Sequence, residues 1–389
     1  MISFVWSSAH PFLAGAGGSE NYTAGQIREL KRRGIPTRIL TLGYGEQDGR
    51  DDFPDIEFKA LKSKAELSEL DDTLVFVTYP LNVPTKRPAY AILHCPPTSY
   101  GGIDELFDLE GMKGKQLLVP SKFAAKLWKG HLGHHTHVRM PAVYPFAEPV
   151  FSQVKRPHRS EPHVPPKILF ANRLIADKGI YTLLASLHLA GLRHREFELT
   201  VTTAGAHCDD GRLIQTLLEA HPRINVVPSC RTPKDMARLM AEHDIAVMPS
   251  TDIFWKEIFG ISSVEAQHAG CRVVASNTGG LPETDCGGLM LVKPDDPLSL
   301  ANGLARAMGL GPLTEAERLY ASTKFTVASS VDRLLRIIQS TESRRVPRLS
   351  LQKQGALVRE QLDTAFKKGI MQLGAGMAGD NKLAYRRIS

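Results

Sequence analysis

The segment IAVMPSTDIFWKEIFGISSVEAQHAG, residues Ile245–Gly270, decides the fold of this chain. Its four apolar residues Ile245–Met248 predict a short buried strand, which ends at Pro249. An irregular loop follows, and from Phe259–Gly260 onward the pattern predicts a helix. A buried strand, a loop and a helix in succession are typical of a parallel sheet with helices packed on it.

The same alternation of short apolar runs and amphipathic segments extends over most of the 389 residues. In the first half the predicted strands are Ile2–Trp6, Thr37–Leu42, Leu74–Thr78, Ala89–Leu93, Gln116–Val119 and Val138–Met140, and the helices include Ser19–Arg33 and Ser121–Trp128. In the second half the predicted strands are Lys167–Ala171, Glu198–Thr202, Ile224–Val227, Ile245–Met248, Arg272–Ala275 and Leu289–Val292, followed by a helix at Val327–Gln339.

A proline-rich stretch separates the two series. Residues 145–166 hold six prolines, mixed charges and no periodicity, which indicates a linker. We therefore expect an α/β protein with two doubly wound, Rossmann-like domains that face each other across a cleft. The expected boundaries are 1–145 for the N-terminal domain, 146–166 for the linker, 167–325 for the C-terminal domain, and 326–389 for C-terminal helices and a basic tail. In such sheets ligands bind beyond the carboxyl ends of the strands.

The composition and charge exclude several classes of protein. With 42% hydrophobic and 23% charged residues the chain is an ordinary globular protein. No apolar run approaches the roughly 18 residues of a membrane span. The first residues resemble a strand rather than a signal peptide. The five cysteines lack CxxC spacing, which favours a reduced, cytoplasmic setting without structural zinc.

The net charge of +7 lies almost entirely in the C-terminal tail, since residues 341–389 carry ten Lys/Arg and four Asp/Glu. This distribution argues against a nucleic-acid partner. Two interpretations of the tail stay open: a solvated extension, or a segment that contacts an anionic membrane surface and makes the protein peripheral there.

Two glutamates, Glu257 and Glu265, flank the predicted helix start that follows strand Ile245–Met248. A helix start offers free N–H groups and a partial positive charge, which suit a diphosphate. Glu265 lies among apolar neighbours, where an uncompensated charge is costly and a ligand hydroxyl would compensate it. The alternative, two surface glutamates on an ordinary amphipathic helix, explains Glu265 less well.

Three segments together resemble the GT4-type retaining glycosyltransferases of the GT-B fold. The first is E-x-F-G followed by S-x-E-A, with seven residues between Glu257 and Glu265. The second is R-x4-K-G at Arg173–Gly179, and the third is G-G-x-P-E at Gly279–Glu283. Their order and spacing match over some 120 residues, which makes the resemblance specific although each segment alone is a weak signal.

The resemblance implies a donor site for a nucleotide sugar, a UDP-sugar or a GDP-sugar, with no further cofactor. Arg173 and Lys178 would neutralise the diphosphate leaving group. Without such an anion, basic residues at the start of a helix would interact unfavourably with the helix dipole. Glu257 and the backbone of Ile258, Phe259 and Gly260 would orient the transferred sugar, and Glu265 would bind the ribose hydroxyls. Arg231 would lie near the base. Retention of anomeric configuration is likewise implied by the resemblance alone. The resemblance also implies that a C-terminal helix crosses back to the first domain, for which Leu351–Leu373 is the candidate segment; contact of its basic face with a membrane is the alternative.

The first domain offers fewer candidates. Gly17 and Gly18 follow the first strand, as does a Gly-Gly pair in the family that closes over the donor phosphates. The dinucleotide fingerprint G-x-G-x-x-G is not met, because Glu20 stands where its third glycine belongs. His94, after strand Ala89–Leu93, corresponds to a histidine that many family members carry beside the reacting sugar. Tyr79 and Asn82 are further candidates for the cleft.

A metal site is not expected. The histidines His131, His134, His135 and His137 are irregularly spaced and lack carboxylates nearby in sequence, and no Asp-x-Asp triplet occurs. We therefore predict a metal-independent hexosyltransferase whose acceptor is a small molecule, a glycan or a lipid. Two alternatives stay open: a sugar-nucleotide-binding protein without catalysis, and a nucleotide-sugar epimerase on the same fold. The sequence makes no prediction of oligomeric state.

Overall fold

The computed structural model describes residues 1–8, 10–15, 17–77, 80–97, 109–132, 139–157, 165–253 and 256–342. The strands are β1 (Ile2–Trp6), β2 (Thr37–Leu42), β3 (Phe58–Leu61), β4 (Thr73–Phe76), β5 (Ala89–Ile92), β6 (Lys115–Leu118), β7 (Lys167–Phe170), β8 (Glu198–Thr202), β9 (Ile224–Val227), β10 (Ile245–Met248), β11 (Arg272–Ser276) and β12 (Leu289–Val292). The α-helices are α1 (Gly18–Arg32), α2 (Glu66–Glu69), α3 (Leu109–Met112), α4 (Lys122–Leu132), α5 (Pro149–Gln153), α6 (Ile180–Ser186), α7 (Ala190–Arg193), α8 (Asp209–Glu219), α9 (Pro233–Ala241), α10 (Ile261–Ala269), α11 (Pro297–Leu310), α12 (Glu315–Ser322) and α13 (Val327–Glu342).

The strands form two parallel six-stranded sheets with the same topology. The first has the order β3-β2-β1-β4-β5-β6 and the second β12-β11-β10-β7-β8-β9. In each sheet the chain starts in the middle, winds outward to one edge and returns to wind to the other. This doubly wound order places a crevice between the first and fourth strands of each sheet, at their carboxyl ends. The predicted two-domain, Rossmann-like fold class is therefore confirmed.

Each sheet is covered by apolar side chains on both faces. In β1, Phe4 and Trp6 pack into the core on one face, and Val5 packs into the core on the other. The second sheet likewise has a separate core on each face. Because successive side chains of a strand point to opposite faces, a strand covered on both sides is a continuous apolar run, which is the pattern that the sequence shows.

The two domains are connected by two crossings of the chain that lie side by side. Ala147 on the outward crossing and Thr326 on the return form an isolated parallel bridge, and the Ala147 N–H donates to the Phe325 carbonyl at 3.2 Å. Beyond the outward crossing, α5 packs on α9 and α10 of the second domain.

Helix α13 returns to the first domain after the second crossing. Its residues Val331, Leu334 and Ile338 are buried in the first-domain core that also contains β1 and α1 side chains. The Tyr90 hydroxyl of β5 donates to the Ile338 carbonyl at 3.3 Å. The first domain is therefore built from the two ends of the described chain. Among the described residues, no helix combines the length and the apolar character needed to cross a bilayer.

The strand predictions for the first domain differ from the structure at two places, one omitted strand and one incorrect strand. Strand β3 was missed because its four residues alternate for only one period and include Lys59 at the edge of the sheet. The predicted strand at Val138–Met140 is absent at Arg139 and Met140, although Val119 and Ala142 nearby form an isolated bridge. Val138 itself lies outside the described residues.

Candidate active site

The candidate site lies at the carboxyl ends of the strands that border the crevices of both sheets. The glycine loop at Gly17–Gly18 follows β1, Arg173 follows β7, and Glu257 follows β10. Because β7 and β10 are neighbours in the second sheet, the loops that follow them meet at one point of the cleft edge.

The loops after β7 and β10 are packed directly on each other. Gly179 has a φ of 75°, and a Cβ at this residue would lie 1.8 Å from the Pro249 carbonyl oxygen, so only glycine fits there. The Thr251 N–H donates to the Asp177 carbonyl at 2.9 Å. This close contact brings Lys178 into an ion pair with Glu257, Nζ to Oε2.

The pair is well shielded from solvent. The side chain of Lys178 is 11% exposed and that of Glu257 is 18% exposed. Because a partly desolvated pair is less screened than a surface pair, Lys178 fixes the orientation of the Glu257 carboxylate more firmly than an exposed lysine would. Arg173, which precedes Lys178 in the same loop, is exposed, and its guanidinium has no hydrogen-bond or ion-pair partner among the described residues.

A second glycine loop supports the backbone of Glu257 and Ile258 from behind. The Gly280 N–H donates to the Glu257 carbonyl at 2.7 Å. A Cβ on Gly279 would lie 2.2 Å from the Glu257 carbonyl oxygen, and a Cβ on Gly280 would lie 2.2 Å from that of Ile258. The two glycines therefore permit a backbone contact that no other residue type permits.

The backbone turns into α10 at Gly260, whose φ is 95°. The N–H groups of Ile258, Phe259 and Gly260 donate to no acceptor within the described part of the chain. These groups, at the positive end of the α10 dipole, are suited to bind an anion next to Lys178.

Glu265 lies one turn further along α10 and has no hydrogen-bond or ion-pair partner among the described residues. Burial, and then the nearby carboxylate of Glu148, raise its pKa to about 8. At neutral pH the group is therefore mostly protonated while the site is empty. A ligand that donates hydrogen bonds to it would favour the ionised form.

The first domain reaches the same site through the loop between β1 and α1. A Cβ on Gly18 would lie 2.9 Å from Ile261 Cδ1, at the first residue of α10. Gly15 has a φ of 73°, and its Cβ would lie 2.9 Å from the Arg231 carbonyl oxygen. Gly17 and Gly18 are thus brought beside the start of α10, and Arg231 lies against the same loop.

His94 follows β5 at the carboxyl edge of the first sheet. Its ring packs edge-on against Tyr22 of α1, with 4.9 Å between ring centroids. Nε2 is buried and has no hydrogen-bond partner in the described structure. Burial lowers the pKa of the imidazole to about 4, so the ring is neutral at physiological pH. Asn82 is exposed, and Tyr79 lies outside the described residues.

A shallow surface cavity of about 500 Å³ adjoins Arg231 on the loop after β9. It is lined by Ser229, Cys230, Arg231, Asp235, Arg238, Leu239 and Glu242. The cavity is therefore formed by the loop after β9 together with α9 and the residue that follows it, and Lys178 and Glu257 are not among its lining residues.

No group of three or more His, Cys, Asp or Glu side chains suited to hold a metal ion occurs within the described ranges. His134, His135, His137 and the side chain of His131 lie outside them.

Comparisons with known proteins relate the second domain to glycosyltransferases. Residues 165–309 match the family model of group 1 glycosyl transferases, a stretch that falls in the second domain. D-inositol 3-phosphate glycosyltransferase from Corynebacterium kroppenstedtii is 33% identical over 145 residues, which are 35% of this chain and 31% of that protein. An uncharacterized 41.2 kDa protein in the cps region of Klebsiella pneumoniae is 30% identical over 182 residues, 44% of this chain and 46% of that protein. The chain thus spans about a third to a half of the length of these relatives.

Solved structures extend the likeness to the first domain. A glycosyltransferase from Rickettsia africae superposes with a TM-score of 0.66 at 18% identity, over 87% of this chain and 97% of that one. The chain has the GT-B fold, and its second domain matches the group 1 glycosyl transferases. Anabaena HepE in complex with UDP and glucose superposes on this chain with a TM-score of 0.62 at 17% identity, over 87% of this chain and 99% of its own.

Three residues that join the two domains were not singled out as site residues from the sequence. The Ser121 hydroxyl donates to the Ile258 carbonyl at 2.6 Å, and the Glu283 carboxylate accepts from backbone N–H groups of α4 and from Tyr144. Ser121 and Tyr144 belong to the first domain and carry no motif. Glu283 ends the G-G-x-P-E segment, but nothing in that segment indicates which helix it contacts.

Proposed function

We propose that this chain is a GT4-type glycosyltransferase, and that it transfers a hexose from a nucleoside diphosphate sugar to an acceptor hydroxyl with retention of configuration. The observation that carries the proposal is the Lys178–Glu257 ion pair beside the unpartnered N–H groups at the start of α10. A cation, a carboxylate and a helix N-terminus at one point match a diphosphate bonded to a sugar.

The chemistry requires stabilisation of the departing diphosphate. When the anomeric C–O bond to the β-phosphate breaks, negative charge develops on the phosphate oxygens. Lys178, Arg173 and the N–H groups of residues 258–260 stabilise that charge in a partly desolvated site. The acceptor hydroxyl attacks the same face of the sugar, and its proton goes to the leaving phosphate oxygen, so that no protein carboxylate forms a covalent intermediate.

Glu257 and Glu265 hold different parts of the donor. Glu257, oriented by Lys178, accepts hydrogen bonds from hydroxyls of the transferred sugar. Glu265 accepts from the ribose hydroxyls, which supply the partners that it lacks in the empty site. His94, neutral and with an unpartnered Nε2, contacts the sugar from the first domain.

The donor is a UDP-sugar or a GDP-sugar. The UDP and UDP-glucose complexes of Anabaena HepE, which shares the fold, favour the uridine series. The deciding experiment is a thermal-shift screen with UDP-, GDP- and ADP-sugars, since a ligand that binds only the folded state raises the melting temperature. The compounds that do so are then offered as labelled donors with small-molecule, glycan and lipid acceptors.

We expect a labelled glycoside to form from at least one donor, and the same rate in excess chelator, because Arg173 and Lys178 take the place of a divalent metal. Free sugar or an epimerised donor without any glycoside would contradict the proposal. Loss of turnover on chelation, with recovery on adding a divalent cation, would contradict metal independence.

A further inference from the structure

The loop that contains Glu257 is held between the two domains. On the second-domain side, the Glu257 carbonyl accepts from the Gly280 N–H at 2.7 Å. On the first-domain side, the next carbonyl, that of Ile258, accepts from the buried Ser121 hydroxyl at 2.6 Å. The Ile258 side chain is 6% exposed and is buried in the first-domain core around Val119 and Ala124. The position of Glu257 therefore depends on where the first domain lies.

Glu283 makes the most extensive polar contact between the domains within the described structure. Glu283 follows Gly279 and Gly280, the glycines that contact the Glu257 backbone. Its carboxylate lies at the N-terminus of α4 in the first domain. Oε2 accepts from the Lys122 N–H at 2.9 Å, and Oε1 accepts from the Phe123 N–H at 2.6 Å. Oε2 also accepts from the Tyr144 hydroxyl at 2.8 Å.

These bonds are of a strong kind. A carboxylate that accepts from two backbone N–H groups at a helix N-terminus combines charge-assisted hydrogen bonds with a favourable interaction with the helix dipole. Ser121 caps the same helix, since its hydroxyl accepts from the Ala124 N–H at 2.9 Å while it donates to Ile258. The N-terminus of α4 is thus bonded to residues of the second domain through both Glu283 and Ser121.

Tyr144 links this contact to the crossings between the domains. Its ring lies 5.7 Å from that of Phe259 in the Glu257 loop and 5.4 Å from that of Phe325 on the return crossing. Phe325 has a φ of 45°, a conformation that bulky residues adopt rarely. The tyrosine therefore contacts the Glu257 loop, the return crossing and Glu283 together.

We propose that Glu283 is a positioning residue: by binding the N-terminus of α4 it fixes the first domain against the Glu257–Ile258 backbone, and so holds Glu257 in its reactive position. Glu283 does not touch the donor in this assignment. The kinetic part of the inference rests on the proposed function, whereas the structural part does not.

The test compares Glu283→Ala, Glu283→Gln and Ser121→Ala with wild type and with the control Glu315→Gln, whose side chain is 87% exposed on the second domain. For Glu283→Ala we expect kcat to fall about tenfold or more, because small displacements of a reactive group have large effects on rate. UDP affinity, measured by calorimetry, should stay within about twofold, because the nucleotide is held by the second domain. Glu283→Gln should be intermediate, since an amide oxygen still accepts hydrogen bonds.

Small-angle X-ray scattering supplies a readout that does not need turnover. We expect a larger radius of gyration for Glu283→Ala and Ser121→Ala than for wild type and the control. Wild-type kcat and scattering in both variants would overturn the inference, as would a loss of UDP affinity in proportion to kcat, which indicates damage to the second domain. If wild type transfers no sugar at all, the proposed function fails, and the scattering comparison still decides whether Glu283 fixes the domains.

Discussion

The two glutamates of the site differ in the partners that the protein gives them. Glu257 is paired with Lys178, whereas Glu265 has no partner among the described residues and its pKa is raised to about 8, first by burial and then by Glu148. The unfolded chain would ionise Glu265 near the ordinary value for a glutamate. The empty protein therefore loses stability as the pH rises from that value toward 8.

The first prediction concerns the pH dependence of nucleotide binding. If ribose hydroxyls donate to Glu265, binding stabilises its carboxylate and releases a proton below pH 8. We expect the affinity for UDP to rise between pH 6 and pH 8, by up to about tenfold per pH unit, and then to level off. Calorimetry across this range measures it.

Glu265→Gln is the matched variant for that experiment. It removes the titrating carboxyl group of residue 265, while the phosphate groups of UDP still titrate. The variant should bind UDP more weakly. Its affinity should change less with pH than that of wild type, because only the titration of UDP itself contributes. Without ligand at pH 8, its free energy of unfolding should exceed that of wild type by about 1–3 kcal/mol, since it carries no buried acid to ionise. If the affinity for UDP changed equally with pH in both proteins, the assignment of Glu265 to the ribose hydroxyls would be refuted.

A second prediction concerns the cations. Lys178→Ala should lower kcat by about 10²-fold or more, because it removes a preorganised charge from the leaving group and leaves Glu257 without its partner. Arg173→Ala should have an effect of the same order without disturbing Glu257. Lys293, whose side chain is 76% exposed, provides the control Lys293→Ala. Steady-state kinetics with wild-type rates in either site variant would refute the assignment.

Among the elements, the loops after β7, β10 and β11 determine the geometry of the site. The loops after β7 and β11 contain glycines, Gly179, Gly279 and Gly280, at which a Cβ would collide with backbone carbonyl groups of the loop after β10. The loops therefore support one another, and the sheet beneath fixes where they start. Helix α10 contributes its N-terminus, which Gly260 turns toward the cleft.

The third prediction tests this packing. Gly280→Ala would place a Cβ 2.2 Å from the Ile258 carbonyl oxygen and so displace the backbone that carries Glu257. We expect kcat to fall at least about tenfold while the protein stays folded. Gly309→Ala is the matched control, because its Cβ would meet nothing within 4 Å, and alanine is the better helix former. Equal kinetics for Gly280→Ala and wild type would show that the loop tolerates displacement.

The sequence predicted the elements of the site better than their contacts. The strand before Glu257, the helix after it and the glycine loop after β1 follow from apolar runs and turn residues, which are local signals. The ion pair between Lys178 and Glu257 joins residues 79 positions apart and depends on the packing of two loops. The periodicity of a sequence reports local structure and does not predict contacts between distant residues. The contact of Glu283 with the N-terminus of α4 could not be predicted for the same reason.

At the scale of the whole molecule, α13 makes the first domain dependent on the end of the described chain. Leu334 is fully buried between the sheet and α1. The helix itself was predicted from its apolar face, but the sequence did not indicate that this face belongs to the first domain. The segment Leu351–Leu373, which the family resemblance suggested for such a return, lies outside the described residues.

The fourth prediction follows from that burial. Leu334→Ala should lower the free energy of unfolding by about 2–5 kcal/mol, as for other large-to-small changes in a core. The loss should appear in the first domain, and UDP binding to the second domain should persist. Gln339→Ala, on the exposed side of the same helix, should change stability by less than about 0.5 kcal/mol. Denaturant titration followed by intrinsic fluorescence measures both variants.

The two crossings that pair at Ala147 and Thr326 also bear on how proteins of this kind can be recombined. Between them the second domain is one continuous segment, and its two ends lie next to each other, with the Ala147 N–H 3.2 Å from the Phe325 carbonyl oxygen. A chimera that keeps residues 148–325 and takes the rest from another GT-B protein needs only two junctions, at adjacent positions in space. If the proposed function is correct, such an exchange alters the acceptor to which the sugar is delivered and leaves the choice of nucleotide unchanged.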